Sequence, residues 1–226
     1  IAATLDYTRA QGVPLAIEIN LREGGRLEGC RPAPHVEDAW ILESGYAKYT
    51  VGEQTVRIGP GAAGHLLTQL RGLLYPALVP IANRWNEMMG IDVRYPNLHA
   101  EFLARCHRAG QQRPTPLILS YGPSDYNCLH QDLYGEHVFP LQVAILLSRP
   151  GIDFEGGEFV MTEARPGHQR ADVVSLRQGD AVVFTVHQRP AVGPSGRMRR
   201  LAMRHGVSRL HSGHRHTVGL IFHDAR

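Results

Sequence analysis

Lysine is almost missing from this 226-residue chain: Lys48 is the only one, so 23 of its 24 basic residues are arginines. An anion site away from Lys48 must therefore use arginine, histidine or backbone N–H groups, and the planar fork of arginine suits a carboxylate gripped at two points. A GC-rich genome produces the same bias, so the arginines by themselves mark no site. Cysteine is scarce too. Cys30, Cys106 and Cys128 are too few and too scattered for a disulfide framework or a CxxC zinc site, and a reducing cytoplasm is the simplest setting for them. No apolar run approaches the roughly 18 residues of a membrane span. No secretory leader is visible, and no repeat or low-complexity linker divides the chain. The formal net charge of +3 is mild and does not by itself point to nucleic acid.

What is present can fill a core. The hydrophobic fraction is 43%, ordinary for a globular protein, and residues 1–226 are expected to form a single domain. Residues 1–38 show no clear period. Tyr46–Val51 and Thr55–Ile58 read as two short strands around Gly52. From His65 to Met89 apolar residues return at helical spacing, and Pro76 and Pro80 are expected to kink or split that segment. Leu98–Ala109 reads as a second helix ended by Gly110.

After Pro116 the pattern turns to strands: Leu117–Tyr121, Leu141–Leu147, Glu158–Met161, Ala181–Phe184 and Val218–Phe222. Leu141–Leu147 is nearly continuous in apolar residues, as in a strand buried on both faces. Gly156-Gly157, Gln178-Gly179-Asp180 and Ser212-Gly213 punctuate these strands as turns. Helices first and many short strands later predict a mainly β fold, a sandwich or jelly roll with helices packed on one face.

The chemistry concentrates in His130-Gln131-Asp132, with His205 and Arg215 further on. On a strand, residues two apart face the same side, so an HxD sequence aims an imidazole and a carboxylate at one point. Two histidines and one carboxylate can hold a metal on one face and leave the opposite positions open, as a non-haem Fe(II) oxygenase requires. On the final strand Arg215 and Thr217 share a face, so a guanidinium and a hydroxyl can meet one carboxylate. Tyr121-Gly122 precedes His130 by nine residues.

Taken together, these residues resemble the prolyl-4-hydroxylase-like branch of the Fe(II)/2-oxoglutarate-dependent dioxygenases. That family's pattern is a tyrosine, HxD, a distal histidine and a basic residue about ten positions later, within a double-stranded β-helix of cupin-like, jelly-roll form. The resemblance covers residues 117–226 as that core, and 1–116 only as helical support and flanking strands. It implies His130, Asp132 and His205 as iron ligands and Arg215 as partner of the distal carboxylate of 2-oxoglutarate. Thr217 and Tyr121 would assist through their hydroxyl groups, and Gln131 would point the other way. The implied cofactor set is Fe(II), with 2-oxoglutarate and O2 as co-substrates and ascorbate as an auxiliary reductant. The implied reaction is hydroxylation of a protein side chain or a small amino-acid-like metabolite, with release of succinate and CO2. Asp132 argues against a halogenase, which replaces this carboxylate with a small residue.

Other readings remain beside it. His187, His211, His214, His216 and His223 also lie in the last strands, but His211 leaves only four positions before Arg215. Arg215 could instead anchor a structural ion pair, and Tyr121 could be a core aromatic. Arg197, Arg199, Arg200 and Arg204 read first as a solvated strand edge and second as a basic rim for an acidic or nucleic-acid substrate; no aromatic platform interleaves with them. The expected partner is a small molecule or peptide, not a membrane. A zinc hydrolase using a metal-bound water would explain the ligands but not Arg215 with Thr217, and no HExxH supports it. A non-catalytic cupin-like sensor of metal or 2-oxoglutarate is the third reading.

Overall fold

The computed structural model describes residues 26–28, 30–32, 38–42, 47–51, 54–58 and 63–226 apart from 166–167 and 194–195, with side chains from Leu67 onward except 165–168 and 194–195. The readings of residues 1–25 and of the Gly52 turn lie outside the described residues. Five short strands come first: β1 (Arg26–Glu28), β2 (Cys30–Pro32), β3 (Asp38–Leu42), β4 (Ala47–Val51) and β5 (Gln54–Ile58). β4 and β5 form the antiparallel hairpin that the sequence predicts, and β1 joins them.

α1 (Ala63–Met88) is a single helix that runs through Pro76 and Pro80. This corrects the expectation of a split. An internal proline removes a backbone hydrogen bond and costs about 3 kcal/mol. Here Leu67, Leu70, Tyr75, Leu78, Val79 and Ala82 all bury one helix face in the core and offset that cost. α2 (His99–Arg108) follows and packs in the same core through Phe102 and Cys106.

The remaining strands are β6 (Leu117–Tyr121), β7 (Asn127–His130), β8 (Leu141–Leu146), β9 (Phe154–Gly156), β10 (Phe159–Arg165), β11 (His168–Val174), β12 (Ala181–Thr185), β13 (Gln188–Val192), β14 (Met198–Val207), β15 (Leu210–Gly213) and β16 (Arg215–Ile221). One sheet has the order β12-β8-β16-β6-β3-β2; the other has β11-β10-β14-β13, with β7 also paired to β14, and β9 pairs β15. From β6 onward the chain passes back and forth between the two sheets, every described pairing of named strands being antiparallel. That path is a double-stranded β-helix, with the helices on the outer face of the six-stranded sheet.

Period-two alternation assigns each residue of the central strands to a layer. On β8, Leu141, Val143 and Ile145 join the helix-side cluster, whereas Ala144 and Leu146 join the cluster between the sheets. On β16, Val218 and Leu220 face the helices, so Arg215, Thr217 and Gly219 face inward. Phe139 ties the helix side together, its ring 4.8–5.9 Å from those of Tyr75, Tyr95, Phe102 and Phe222.

Two buried histidines make this packing sensitive to acid. His99 Nε2–H donates to the Phe222 carbonyl at 2.8 Å. Burial, helped by the Arg71 guanidinium, depresses His99 from 6.5 to about 4, and burial does the same to His223. The unfolded chain regains the higher value, so between pH 6.5 and 4 it binds more protons than the folded one. The stabilisation is complete above pH 6.5 and is lost as pH falls through that window, by on the order of 3 kcal/mol per histidine. His99→Gln keeps a donor for the Phe222 carbonyl and is expected to flatten the fall of the urea midpoint between pH 7 and 4.5. A fall as steep as that of the unsubstituted chain would remove His99 from this account.

Candidate metal centre

β7 ends at His130, so the expectation that one strand carries both His130 and Asp132 is not met: Asp132 lies just past the strand end. A tight turn brings it back, with Leu133 N–H donating to the Gln131 carbonyl at 3.1 Å. Gln131 points away from its neighbours as expected, its Nε2 donating to the backbone oxygens of Met203 at 2.7 Å and His187 at 3.2 Å. His205 stands near the end of β14, opposite Met161 of β10 on one side and His130 of β7 on the other. The β7–β14 register slips between His205 and Val207, and such bulges re-aim side chains. Gly206 permits the pairing, because a Cβ there would lie 2.5 Å from the Asn127 carbonyl oxygen.

The result is a compact cluster. His130 Nε2 is 3.5 Å from Asp132 Oδ1, and His205 Nε2 is 3.2 Å from Asp132 Oδ2. One ligand atom from each of the three residues lies within 4.8 Å of the others. Asp132 and His205 are buried and His130 is partly exposed. Burial alone would raise the Asp132 pKa, but hydrogen bonds and charge from His130 and His205 outweigh it and hold the carboxyl well below its usual range. Burial disfavours charge on His130 as well; Asp132 and the Cys128 carbonyl reverse that and raise its pKa, whereas burial prevails at His205 and lowers it. His130 Nδ1–H donates to the Cys128 carbonyl at 2.7 Å, which leaves Nε2 free as a donor atom for a metal.

Two neighbours complete the cluster: Tyr134, which the sequence places beside the metal dipeptide as a polar group for the substrate mouth or a turn cap, and Gln142, which it did not single out. The Tyr134 hydroxyl donates to Asp132 Oδ1 and Gln142 Nε2 donates to Asp132 Oδ2, each at 2.7 Å. Gln142 had a visible signal, being the one polar residue in the apolar run Leu141–Leu147. Tyr134 had only its position two residues after Asp132.

A cavity of about 180 Å³ connects this cluster with Arg215, Thr217 and Tyr121, all of which line it. Arg215 is 2% exposed and Tyr121 0%. The Arg215 guanidinium donates to Thr217 Oγ1 at 2.6 Å and lies 5.3 Å from the Tyr121 ring centre. Among the described residues it forms no salt bridge, which counts against a structural ion pair. Gly157, with φ at +63°, leaves room for Arg215 and Leu210, since a Cβ there would approach Arg215 Cδ to 3.0 Å and Leu210 Cδ1 to 2.7 Å. His216 turns away, its ring nitrogens 3.1 Å from Ser120 Oγ and 3.4 Å from Ser148 Oγ.

β14 lies between β10 and β13 in sheet order, but Arg199 and Arg200 pair with β13 alone, because β10 covers only Ala202–Val207. Arg200 caps the end of α1, donating from Nε and Nη2 to the Met89 carbonyl at 3.1 and 2.9 Å. Arg204 is exposed.

The residues fit the implied guests. Tyr121 Oη, Asn127 Oδ1, Gln142 Oε1, His205 Nδ1 and Arg215 Nε are buried on the cavity's lining residues without a hydrogen-bond partner. Such atoms offer donors and acceptors to a polar guest. Two imidazoles and one carboxylate suit a divalent transition metal with open positions. A buried guanidinium beside a hydroxyl suits the far carboxylate of a dicarboxylate.

The chain matches the Oxygenase-NA family, described as "Oxygenase, catalysing oxidative methylation of damaged DNA", over residues 61–225. An uncharacterised protein of Mycobacterium tuberculosis strain H37Rv is 45% identical over 185 residues, 81% of this chain and 79% of its own length. Its counterpart in strain CDC 1551 / Oshkosh matches to the same extent. Two solved structures align at low similarity. An oxidoreductase of the 2OG-Fe(II) oxygenase family from Burkholderia pseudomallei has TM-score 0.44 and 16% identity, over 99% of this chain and 80% of that one. A Pseudomonas putida prolyl-4-hydroxylase has TM-score 0.42 and 15% identity, over 100% of this chain and 84% of that one.

Arg215→Ala is expected to raise the 2-oxoglutarate concentration for half-maximal succinate formation roughly tenfold or more, since a charge-assisted contact contributes about 1.5–3 kcal/mol. An unchanged requirement would remove Arg215 from the co-substrate end.

Proposed function

This chain belongs to the Oxygenase-NA family, and we propose that it is a 2-oxoglutarate- and Fe(II)-dependent oxygenase that oxidises a methyl group on a damaged nucleobase, using His130, Asp132 and His205 as metal ligands. The observation that carries this reading is the single cavity with a two-histidine, one-carboxylate cluster at one end and Arg215 with Thr217 at the other. The family description names damaged DNA as the substrate. The surface around the cluster supports that substrate class. Tyr126, Leu129, Leu133 and Tyr134 are 47%, 42%, 49% and 38% exposed, and they bracket His130 and Asp132 in sequence. The Arg209 guanidinium lies 5.4 Å over the Tyr126 ring. Aromatic and arginine side chains together give a base something to stack on, and apolar side chains can fill the gap that a flipped base leaves in its strand. The sequence had suggested no aromatic platform beside the arginine run; Tyr134 lines the cavity, and Tyr126 stands exposed under Arg209.

When bound, iron activates O2 with electrons from the oxidative decarboxylation of 2-oxoglutarate. The residues of the chain do the rest. His130, Asp132 and His205 would hold the ion through two imidazole nitrogens and a carboxylate. Arg215, Thr217 and Tyr121 bind and orient the far carboxylate of 2-oxoglutarate. The apolar walls, Leu119, Phe159 and Phe184 among them, exclude water. One oxygen atom ends in succinate, formed with CO2. The other enters a methyl C–H bond, and an N-hydroxymethyl group so formed expels formaldehyde and restores the N–H.

The test is an oligonucleotide carrying one N-methylated base, with its unmethylated twin as control. The expected result is formaldehyde and succinate in equal amounts from the methylated strand only. Tyr126→Ala is expected to raise the oligonucleotide concentration required by about 5- to 150-fold, in line with about 1–3 kcal/mol per stacked base. Equal succinate from both strands, with no formaldehyde, would discard the nucleobase and leave a peptide or small molecule as substrate.

A further inference from the structure

Gln142 lies on β8, the second strand of the six-stranded sheet, where β8 pairs with both neighbours: it is opposite Phe184 of β12 and Ile221 of β16. Alternation turns its side chain toward the cavity, and it is 3% exposed. Burying a carboxamide there is costly unless it has a specific partner. Its Nε2 stands 2.7 Å from Asp132 Oδ2 and 3.1 Å from His205 Nε2, and those two atoms are themselves 3.2 Å apart. The two N–H bonds of a planar amide diverge too far to serve two acceptors so close together. One N–H donates to Asp132, and the His205 nitrogen is simply adjacent. Gln142 Oε1 is buried without a partner.

Asp132 therefore has both oxygens held by side chains. Tyr134 grips Oδ1 from a partly exposed loop, while Gln142 grips Oδ2 from a strand paired on both sides. The loop beyond β7 is the least constrained support in the cluster, because Asp132 has no sheet partner of its own. Gln142 supplies what the loop lacks, a contact anchored in the sheet.

We propose that Gln142 is a positioning residue of the metal centre: it fixes the carboxylate of Asp132 and keeps it aligned with His205 before a metal ion arrives. The proposal rests on reading His130, Asp132 and His205 as the metal ligands. Outer partners of metal ligands typically change metal affinity by roughly 10- to 100-fold when removed.

The probe is Co(II) alone, without 2-oxoglutarate or substrate, followed through its d–d absorption. Gln142→Met keeps the length and apolar stem and removes the donor. It is expected to unfold at the same urea midpoint as the parent to within a small shift, to bind Co(II) about 10- to 100-fold more weakly, and to give a shifted d–d spectrum. Gln142→Val, a side chain suited to a strand, replaces it if the methionine variant does not fold. His130→Ala is measured alongside and is expected to lose Co(II) binding. If His130→Ala binds Co(II) as the parent does, the metal-centre reading itself fails. If His130→Ala loses binding while the Gln142 variant keeps both affinity and spectrum, the metal centre stands and the role of Gln142 is overturned.

Discussion

β8 and β16 lie side by side in the six-stranded sheet and are covered on both faces, and the rest of the structure hangs on that double burial. A strand with solvent on one side can spend half its residues on polar surface. These two cannot, so every side chain must belong either to the helix-facing core or to the space between the sheets. Leu141, Val143, Ile145, Val218 and Leu220 give α1 and α2 an apolar floor. The intervening positions, Gln142 on one strand and Arg215 and Thr217 on the other, project polar groups into the interior. Polar side chains in such places are expensive, and each of these three is engaged with another member of the cavity.

The carboxylate of Asp132 is the electrostatic counterpart of that frame. A buried carboxylate without partners would take up a proton, yet two imidazoles, a phenol and a carboxamide hold it ionised. The negative charge thus kept inside the protein, next to two histidine nitrogens, suits the site to a cation. At the other end Arg215 is a buried positive charge with a hydroxyl for its only hydrogen-bond partner among the described residues. A guest with a cation-binding end and a carboxylate end answers both. This is why the oxygenase reading accounts for more of the cavity than a hydrolase, which would leave Arg215 and Thr217 unexplained.

Much of this was legible in the chain because local rules governed it. The continuous apolar run of β8, the hairpin of β4 and β5 and the second helix all follow from hydrophobic period and turn residues. His130 and Asp132 are near neighbours, and Arg215 and Thr217 share a strand face by alternation alone. Local rules failed where distant packing overrode them. Pro76 and Pro80 do not split α1, because its buried face outweighs two lost hydrogen bonds. Asp132 is off the strand, and a turn rather than a pleat aims it. Arg200 is spoken for by the carbonyl of Met89, 111 positions away in sequence.

The sequence alone determined the inventory: one lysine, an HxD stretch, a distal histidine ten positions before an arginine, and strands whose period says which side chains share a face. Only the tertiary structure decided which of the late histidines meets Asp132, that Arg215 has no carboxylate partner among the described residues, and that Gln142 reaches the cluster from another sheet. The physical reason is range. Periodicity and turn chemistry act over a few residues, whereas the cavity is made where β6, β7, β8, β14 and β16 come together, and no local rule sets the register between strands that the chain keeps tens of residues apart.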